Sequence, residues 1–240
     1  MGDLSWLTRR PIAHRGYHDL NRTRWENTLS AFDAAIEHDY AIECDVHLSA
    51  DGVPVVFHDS VLNRLAGRDG FVHEMTAAAL TQLAIGGTED RIPTLAEMLA
   101  RVRGRVPLVI ELKGVEGEDA QGDEGLVAAV AKTLAGYDGK AAIMSFDHWL
   151  VRRFAVDAPG IPAGLTAEKI TQPALEAHFS MLAHPISFVS FSVADLPNPF
   201  VAFVREKLAM PVITWTVRNE HAKAATFAHA DQMTFEGFEA

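Results

Sequence analysis

YAIECDVHLSADGVPVVFHD, residues 40–59, is the stretch that decides the fold. It opens as an apolar strand whose end alternates in charge, and in a strand residues i and i+2 share a face. Glu43 and Asp45 therefore point one way, and Cys44 points the other way, where it reads as a small buried apolar residue under a helix. Asp51-Gly52 between two strand-like runs is a hairpin signal. The strand that starts at Ala41 is thus expected to run past the rim of its sheet and fold back as Val53–Phe57, delivering His58 to the mouth.

The same construction recurs on either side. Pro11-Ile12-Ala13 leads into His14-Arg15-Gly16, and a strand ending in Val109-Ile110 leads into Glu111-Leu112-Lys113, where Glu111 and Lys113 share a face. Charged groups at successive strand ends are how a parallel α/β protein builds an active site. Unpaired buried charge is costly, so three inward carboxylates call for a partner of opposite sign. Oxygen-only ligands favour a hard cation, Mg²⁺ or Ca²⁺, over Zn²⁺. The alternative is a cluster neutralised by Arg15 and Lys113 alone.

Strand-like and helix-like segments alternate along the whole chain. Strands are expected at 11–14, 41–46, 108–112, 142–145, 163–165, 188–192, 212–217 and 232–235, which makes eight. Thr28, Thr94 with Glu97 three residues on, Asp147 and Asn219 mark helix starts. Further helices are expected near 126–134, 173–182 and 199–208. The 240 residues fit one α/β barrel domain, 1–240, rather than two small ones. A segment at 60–92, too long for a simple connection, is expected to sit over the catalytic face as an insertion. The chain reaches Ala240 soon after the eighth strand, so a final helix is expected to be missing, with Leu4, Trp6 and Leu7 covering apolar surface in its place.

A net charge of −11 argues against a nucleic-acid or anionic-membrane partner. One cysteine leaves no disulfide framework within the chain, and residues 1–16 hold no apolar run long enough for a signal peptide or a spanning helix. A cytoplasmic setting without stable membrane association is the expectation.

Of eleven histidines, His14 and His58 stand at strand ends beside charged residues, suited to exchange protons on opposite sides of a phosphorus atom. His47 shares the face of Glu43 and Asp45 but is read into the hairpin stem, and the others are read as surface or helix-end residues. Arg15 and Lys113 are the cations available for phosphate oxygens. Trp215 reads equally as barrel core or as an apolar wall beside a substrate, and Ser190 and Ser192 equally as barrel filling or as hydrogen-bonding groups.

His14-Arg15-Gly16, Glu26-Asn27-Thr28, the 42–46 strand, the hairpin into Val55–Asp59, Ile92–Leu95, Ile110–Lys113, Ser145-Phe146 and Trp215–Val217, in that order, resemble the glycerophosphodiester phosphodiesterase family. The resemblance implies a TIM-type (β/α)8 barrel, a divalent cation, and hydrolysis of glycerophosphodiesters such as glycerophosphocholine to glycerol 3-phosphate and an alcohol. It implies His14 and His58 as the acid–base pair, Glu43, Asp45 and Glu111 as metal ligands, and Arg15 and Lys113 on the phosphate. It further implies attack by the glycerol 2-hydroxyl and a cyclic phosphate that water opens. Two departures from the family's pattern concern the far end of the barrel. Arg218 stands where Asn is common, and Thr234-Phe235-Glu236-Gly237 replaces an acidic turn of the TD-x-P kind. Two rivals are a lysophospholipase D-like lipid phosphodiesterase, whose acyl path Leu62, Leu65, Phe71 and Val72 would supply, and a catalytically silent barrel that binds phosphorylated metabolites.

Overall fold

A computed structural model describes residues 3–114 and 123–240. Eight parallel strands close a barrel: β1 (Ile12–Ala13), β2 (Ala41–Leu48), β4 (Leu108–Leu112), β5 (Ala141–Ser145), β6 (Ala163–Ala167), β7 (Phe188–Ser192), β8 (Val212–Val217) and β9 (Gln232–Phe235), with β1 pairing both β9 and β2. The ninth strand, β3 (Pro54–Val56), lies antiparallel on β2, with Val46 opposite Val56 and Leu48 opposite Pro54. The hairpin after Asp51-Gly52 thus forms as expected, and β2 extends two residues beyond the expected Val46 to provide its stem.

Helices pack outside the barrel, and their starts follow from capping chemistry. Thr28 opens α1 (Leu29–Glu37) by accepting from the Ala31 N–H. Thr94 and Glu97 form a reciprocal capping box on α4 (Leu95–Val102). Asp147 caps α6 (His148–Asp157), Asn198 caps α8 (Pro199–Leu208) and Asn219 caps α9 (Glu220–His229). Two more helices, α5 (Asp123–Leu134) and α7 (Gln172–Met181), complete the ring, and Cys44 lies fully buried between the sheet and this shell.

Inside the barrel, polarity changes with height. Ile12, Ala41, Val109, Ala142, Met144, Phe188 and Ile213 form an apolar floor, closed from below by Leu7 with Trp6 packed against it. Phe188 fits because β6 carries Gly164 beside it: a Cβ there would lie 2.3 Å from the Phe188 ring. One step higher on the same faces come Glu43, Glu111, Thr166 and Ser190, all buried. The expected role of Leu4, Trp6 and Leu7 is therefore corrected. Leu7 and Trp6 plug the floor, where they take the apolar surface at the barrel's end out of water. No helix follows β9 among the described residues, and its flank is covered by Phe238, whose ring sits 5.4 Å from Phe235, while Tyr40 bonds the Ala240 backbone.

Residues 60–92 fold around a small core of their own. Leu62, Leu65, Val72, Leu80, Ile85 and Ile92 bury against Val55 and Phe57, with α2 (Asn63–Ala66) and α3 (Ala77–Leu80) as the helical pieces. Gly86, at φ +58°, allows the Trp25 ring to approach where a Cβ would be 1.9 Å away.

The floor supplies a stability test. Phe188 is fully buried opposite a glycine, so Phe188→Ala leaves a cavity that its neighbours cannot fill. Urea unfolding should show a loss of about 3–5 kcal/mol, and a loss below about 1 kcal/mol would mean that the floor is not packed as described.

Candidate active site

Strand register assembles the site. Asp45 on β2 lies directly opposite Glu111 on β4, and Glu43 is two residues before it on the same face. Ile12 pairs with both Ala41 and Thr234, so two residues further up His14 stands level with Glu43 on one side and Glu236 on the other. The backbone carries strain here. Arg15 (φ 53°) and Asn27 (φ 56°) both occupy the left-handed region, and the Asn27 N–H donates to the Arg15 carbonyl at 2.9 Å. That conformation turns the Arg15 N–H onto Glu43 Oε2 at 2.8 Å and the Asn27 amide onto Asp45 Oδ2 at 2.8 Å.

Glu43, Asp45 and Glu111 each offer an oxygen, all within 4.8 Å of one another, and the three are 1%, 1% and 7% exposed. Burial, reinforced by Asp45 and Glu111, pushes the Glu43 carboxyl well above the usual carboxylate range. Glu111 is also raised by burial, against the pull of Lys113. Asp45 goes the other way: burial opposes its ionisation, but Lys113 Nζ at 3.0 Å and Arg15 Nε at 3.4 Å outweigh it. Lys113 also bonds Glu111 and is held above its ordinary range by the two carboxylates, despite its burial. Two cations thus face three acids, and Glu43 Oε1 is buried without a hydrogen-bond partner. An orphaned oxygen beside two others, with one negative charge uncompensated, fits a hard divalent cation.

Both strand-end histidines have their Nδ1 on a carboxylate. His14 Nδ1 meets Glu236 Oε2 at 2.5 Å and His58 Nδ1 meets Asp59 Oδ1 at 2.7 Å. Ionised carboxylates only accept, so each Nδ1 carries the proton and each Nε2 is left free. Burial lowers both histidines below their ordinary value, and the adjoining carboxylates partly offset it. Behind them, Arg64 from the 60–92 segment bonds Asp59 at 2.7 Å and Glu26 at 2.9 Å, and Glu26 in turn receives Arg15 Nη1 at 2.7 Å.

A cavity of about 370 Å³ opens among His14, Arg15, Asp45, His58, Glu111 and Lys113. Phe146 and Trp215, edge to face at 5.2 Å, form its apolar wall. The Trp215 indole donates to the Ser190 carbonyl at 3.3 Å, so its ring is fixed at the mouth rather than filling the barrel core. Ser192 lines the same cavity, whereas Ser190 is fully buried below. A larger cleft of about 810 Å³ lies at the opposite end, beside Trp6 and Tyr137, but its lining has no histidine and one carboxylate, Asp3.

All eight residues singled out from the sequence therefore meet at one mouth. His47 sits in the hairpin stem as expected, donating from Nε2 to the His58 carbonyl at 3.0 Å. Of the histidines read as surface or helix-end residues, His178 lies in the last turn of α7, whereas His18 is neither, being 6% exposed in a loop. Leu62, Leu65 and Val72 are buried in the core of the 60–92 segment, so they line no path for an acyl chain, and Phe71 alone of that group is exposed. Residues at the site to which the sequence reading gave no role are Glu26, Asn27, Asp59, Arg64 and Glu236. Glu236 carries the signal used elsewhere, a charge at the tip of a barrel strand.

These features coincide with a known lineage. The model of the Glycerophosphoryl diester phosphodiesterase family matches residues 14–238. YhdW of Bacillus subtilis (strain 168) is 30% identical over 230 residues, covering 89% of this chain and 88% of its own. The glycerophosphodiester phosphodiesterase of Caldanaerobacter subterraneus subsp. tengcongensis is 33% identical over 162 residues, 64% of this chain and 65% of its own. A phosphodiesterase of Oleispira antarctica, solved in complex with the product sn-glycerol-3-phosphate, superposes with a TM-score of 0.78 at 26% identity over 94% of this chain and 92% of that one. The fold is that of a (β/α)8-barrel phosphodiester hydrolase. The chain belongs to the glycerophosphodiester phosphodiesterase family. No described helix is long and apolar enough to cross a membrane.

The Glu26 network predicts an acid-stability profile. Burial works against ionisation of Glu26, but its bonds from Arg64 and the charge of Arg15 lower its carboxyl from 4.5 to about 2. A depressed folded-state value means stability present above pH 4.5 and lost as pH falls towards 2. Chemical denaturation between these limits should show a falling unfolding free energy in the wild type and a flatter profile in Glu26→Gln. Parallel profiles would refute the assignment.

Proposed function

We propose that this chain hydrolyses glycerophosphodiesters to glycerol 3-phosphate and an alcohol, with a divalent cation held by Glu43, Asp45 and Glu111 and with His14 and His58 as the acid–base pair. The observation that carries this reading is the buried triple carboxylate with its orphaned Glu43 oxygen, flanked by two histidines that line one cavity and whose Nδ1 atoms are already engaged. A relative of similar architecture holding sn-glycerol-3-phosphate supports the substrate class.

Mg²⁺ or Ca²⁺ suits the all-oxygen donor set, and when bound it would withdraw charge from the phosphoryl oxygens. Arg15 and Lys113, already aligned by Glu26, Asp45 and Glu111, orient the phosphate. One histidine, His14 in the order favoured here, takes the proton of the glycerol 2-hydroxyl at Nε2 as that oxygen attacks phosphorus. The other, His58, gives a proton to the departing alcohol oxygen, Asp59 and the anionic substrate favouring its charged form. Water then opens the cyclic phosphate with the two proton transfers reversed. Trp215 and Phe146 form the apolar wall against which the leaving group lies, and the 60–92 segment sits over this face, tied to it through Arg64.

Release of glycerol 3-phosphate from glycerophosphodiesters should stop on chelation by EDTA and return with Mg²⁺ or Ca²⁺. Full activity in thoroughly chelated protein would refute the cation. Glu43→Ala or Asp45→Ala should abolish cation binding in calorimetry while leaving the circular dichroism spectrum unchanged. His14→Ala and His58→Ala should each lose roughly 10²–10⁴-fold in kcat yet still bind the cation. On a substrate with a p-nitrophenol leaving group, which needs no protonation, the variant lacking the acid should recover most of its rate and the variant lacking the base should not. If both histidine variants keep near wild-type rates, or neither responds to the leaving group, the acid–base assignment fails.

A further inference from the structure

Glu236, at the tip of β9, is the one carboxylate at the mouth outside the triple cluster that touches a proposed acid–base residue from the β9 side, and its surroundings are unusually determined. Its backbone is locked between neighbours: the Glu236 N–H donates to the Val217 carbonyl at 3.1 Å, and the His14 N–H donates to the adjacent Phe235 carbonyl at 2.9 Å. The side chain is 11% exposed. One oxygen, Oε2, accepts from His14 Nδ1 at 2.5 Å. The other, Oε1, accepts from Arg218 Nε at 2.7 Å. Arg218 and Glu236 thus form an ion pair across the tips of β8 and β9.

His18 adds an independent constraint. Its Nδ1 accepts from the Leu20 N–H at 3.2 Å, so in the neutral ring the proton is on Nε2. That Nε2 is buried without a bonded partner and lies 3.6 Å from Glu236 Oε2. The same proton placement rules out a metal ion shared by His14, His18 and Glu236, because a ligating Nε2 would have to give up its proton while Nδ1 goes on accepting. The carboxylate thus collects positive edges on three sides: an imidazole N–H at hydrogen-bond distance, a second imidazole N–H just beyond it, and a guanidinium. Pinned in this way, it presents one lone pair to His14 Nδ1.

We infer that Glu236, braced by Arg218 and His18, is a positioning residue for the reaction: it fixes His14 as the Nδ1–H tautomer and fixes the plane of its ring, so that Nε2 keeps a free lone pair beside the Glu43 carboxylate. His14 Nε2 is 4.0 Å from Glu43 Oε2, which puts it at the edge of the cluster where an attacking hydroxyl would stand. Which ring nitrogen carries the proton is set by the hydrogen bond made by the other, and a ring with its proton on Nε2 could not accept one there. This inference rests on the acid–base role given to His14 above.

The test uses the cation-loaded enzyme. Glu236→Ala should lose at least about tenfold in kcat, since a mis-set proton-transfer group forfeits much of its roughly 10²–10⁴-fold contribution, while KM and cation affinity stay within about twofold. In a His14→Ala background the same change should cost less than about twofold more, because Glu236 acts through His14. Nitrogen-15 spectra should show the His14 Nδ1 protonated in the wild type and a mixture of tautomers in Glu236→Ala. Glu236→Gln preserves shape and a carbonyl acceptor, so it should fold and fall between the two in kcat, which keeps the comparison decisive if the alanine variant is unstable. Near wild-type kcat in Glu236→Gln and Glu236→Ala, losses that multiply in the double variant, or an unchanged His14 tautomer would each overturn the inference. A His14→Ala enzyme at the wild-type rate would instead overturn the acid–base reading itself, whatever the spectra show.

Discussion

Asp45 is the hinge of the electrostatics. Its two oxygens are held by Lys113, Arg15 and the Asn27 amide, and this permits a fully buried carboxylate to stay ionised beside two others. Remove those partners and the desolvation cost would fall on three acids at once, which proteins avoid by protonating them. The contacts explain why the His14–Gly16 and Glu26–Thr28 turns adopt strained backbone. Arg15 and Asn27, both in left-handed conformations, place their side chains on Asp45, and these bonds offset the local cost.

Around that hinge the mouth is organised in layers. The innermost holds the carboxylates and their counter-cations, and the next holds the two histidines. Beyond these, acid–arginine pairs hold the histidines in turn, Asp59 with Arg64 on one side and Glu236 with Arg218 on the other. Each layer restricts the one inside it. Long charged side chains lose much entropy when fixed, so such networks persist where several bonds share the ordering of each residue, as Arg64 does with four.

Most of the barrel was legible because two periodicities are hard to disguise. Alternation on 41–48 and 108–112 set apart the inner face, and caps such as Thr94 with Glu97 placed the helices around it. The eight candidate residues were legible for the same reason: each stands within or just beyond a strand, where charge or bulk is out of keeping with a buried run. What escaped was contact across long sequence separations. Glu236 lies 222 residues from His14, and only closure of the sheet between its first and last strands makes them neighbours. The floor plug escaped similarly. Nothing local distinguishes Leu7 as a cap for the barrel end from Leu7 as cover for its flank. His18 was misjudged because a histidine in a polar loop looks exposed until the strand tip beside it is known.

The sealed floor has a consequence for the order of events. With Leu7, Trp6 and Phe188 closing one end, the described barrel communicates with solvent through the mouth alone. In a two-stage hydrolysis the alcohol released by the first stage and the water consumed by the second must pass through this same aperture, and they cannot share it. On the reaction proposed above, water would take its place only after the alcohol had cleared the Trp215 and Phe146 wall, and bulky alcohols lingering there would prolong the life of the cyclic species. Traffic through a single doorway would then weigh on turnover alongside bond cleavage.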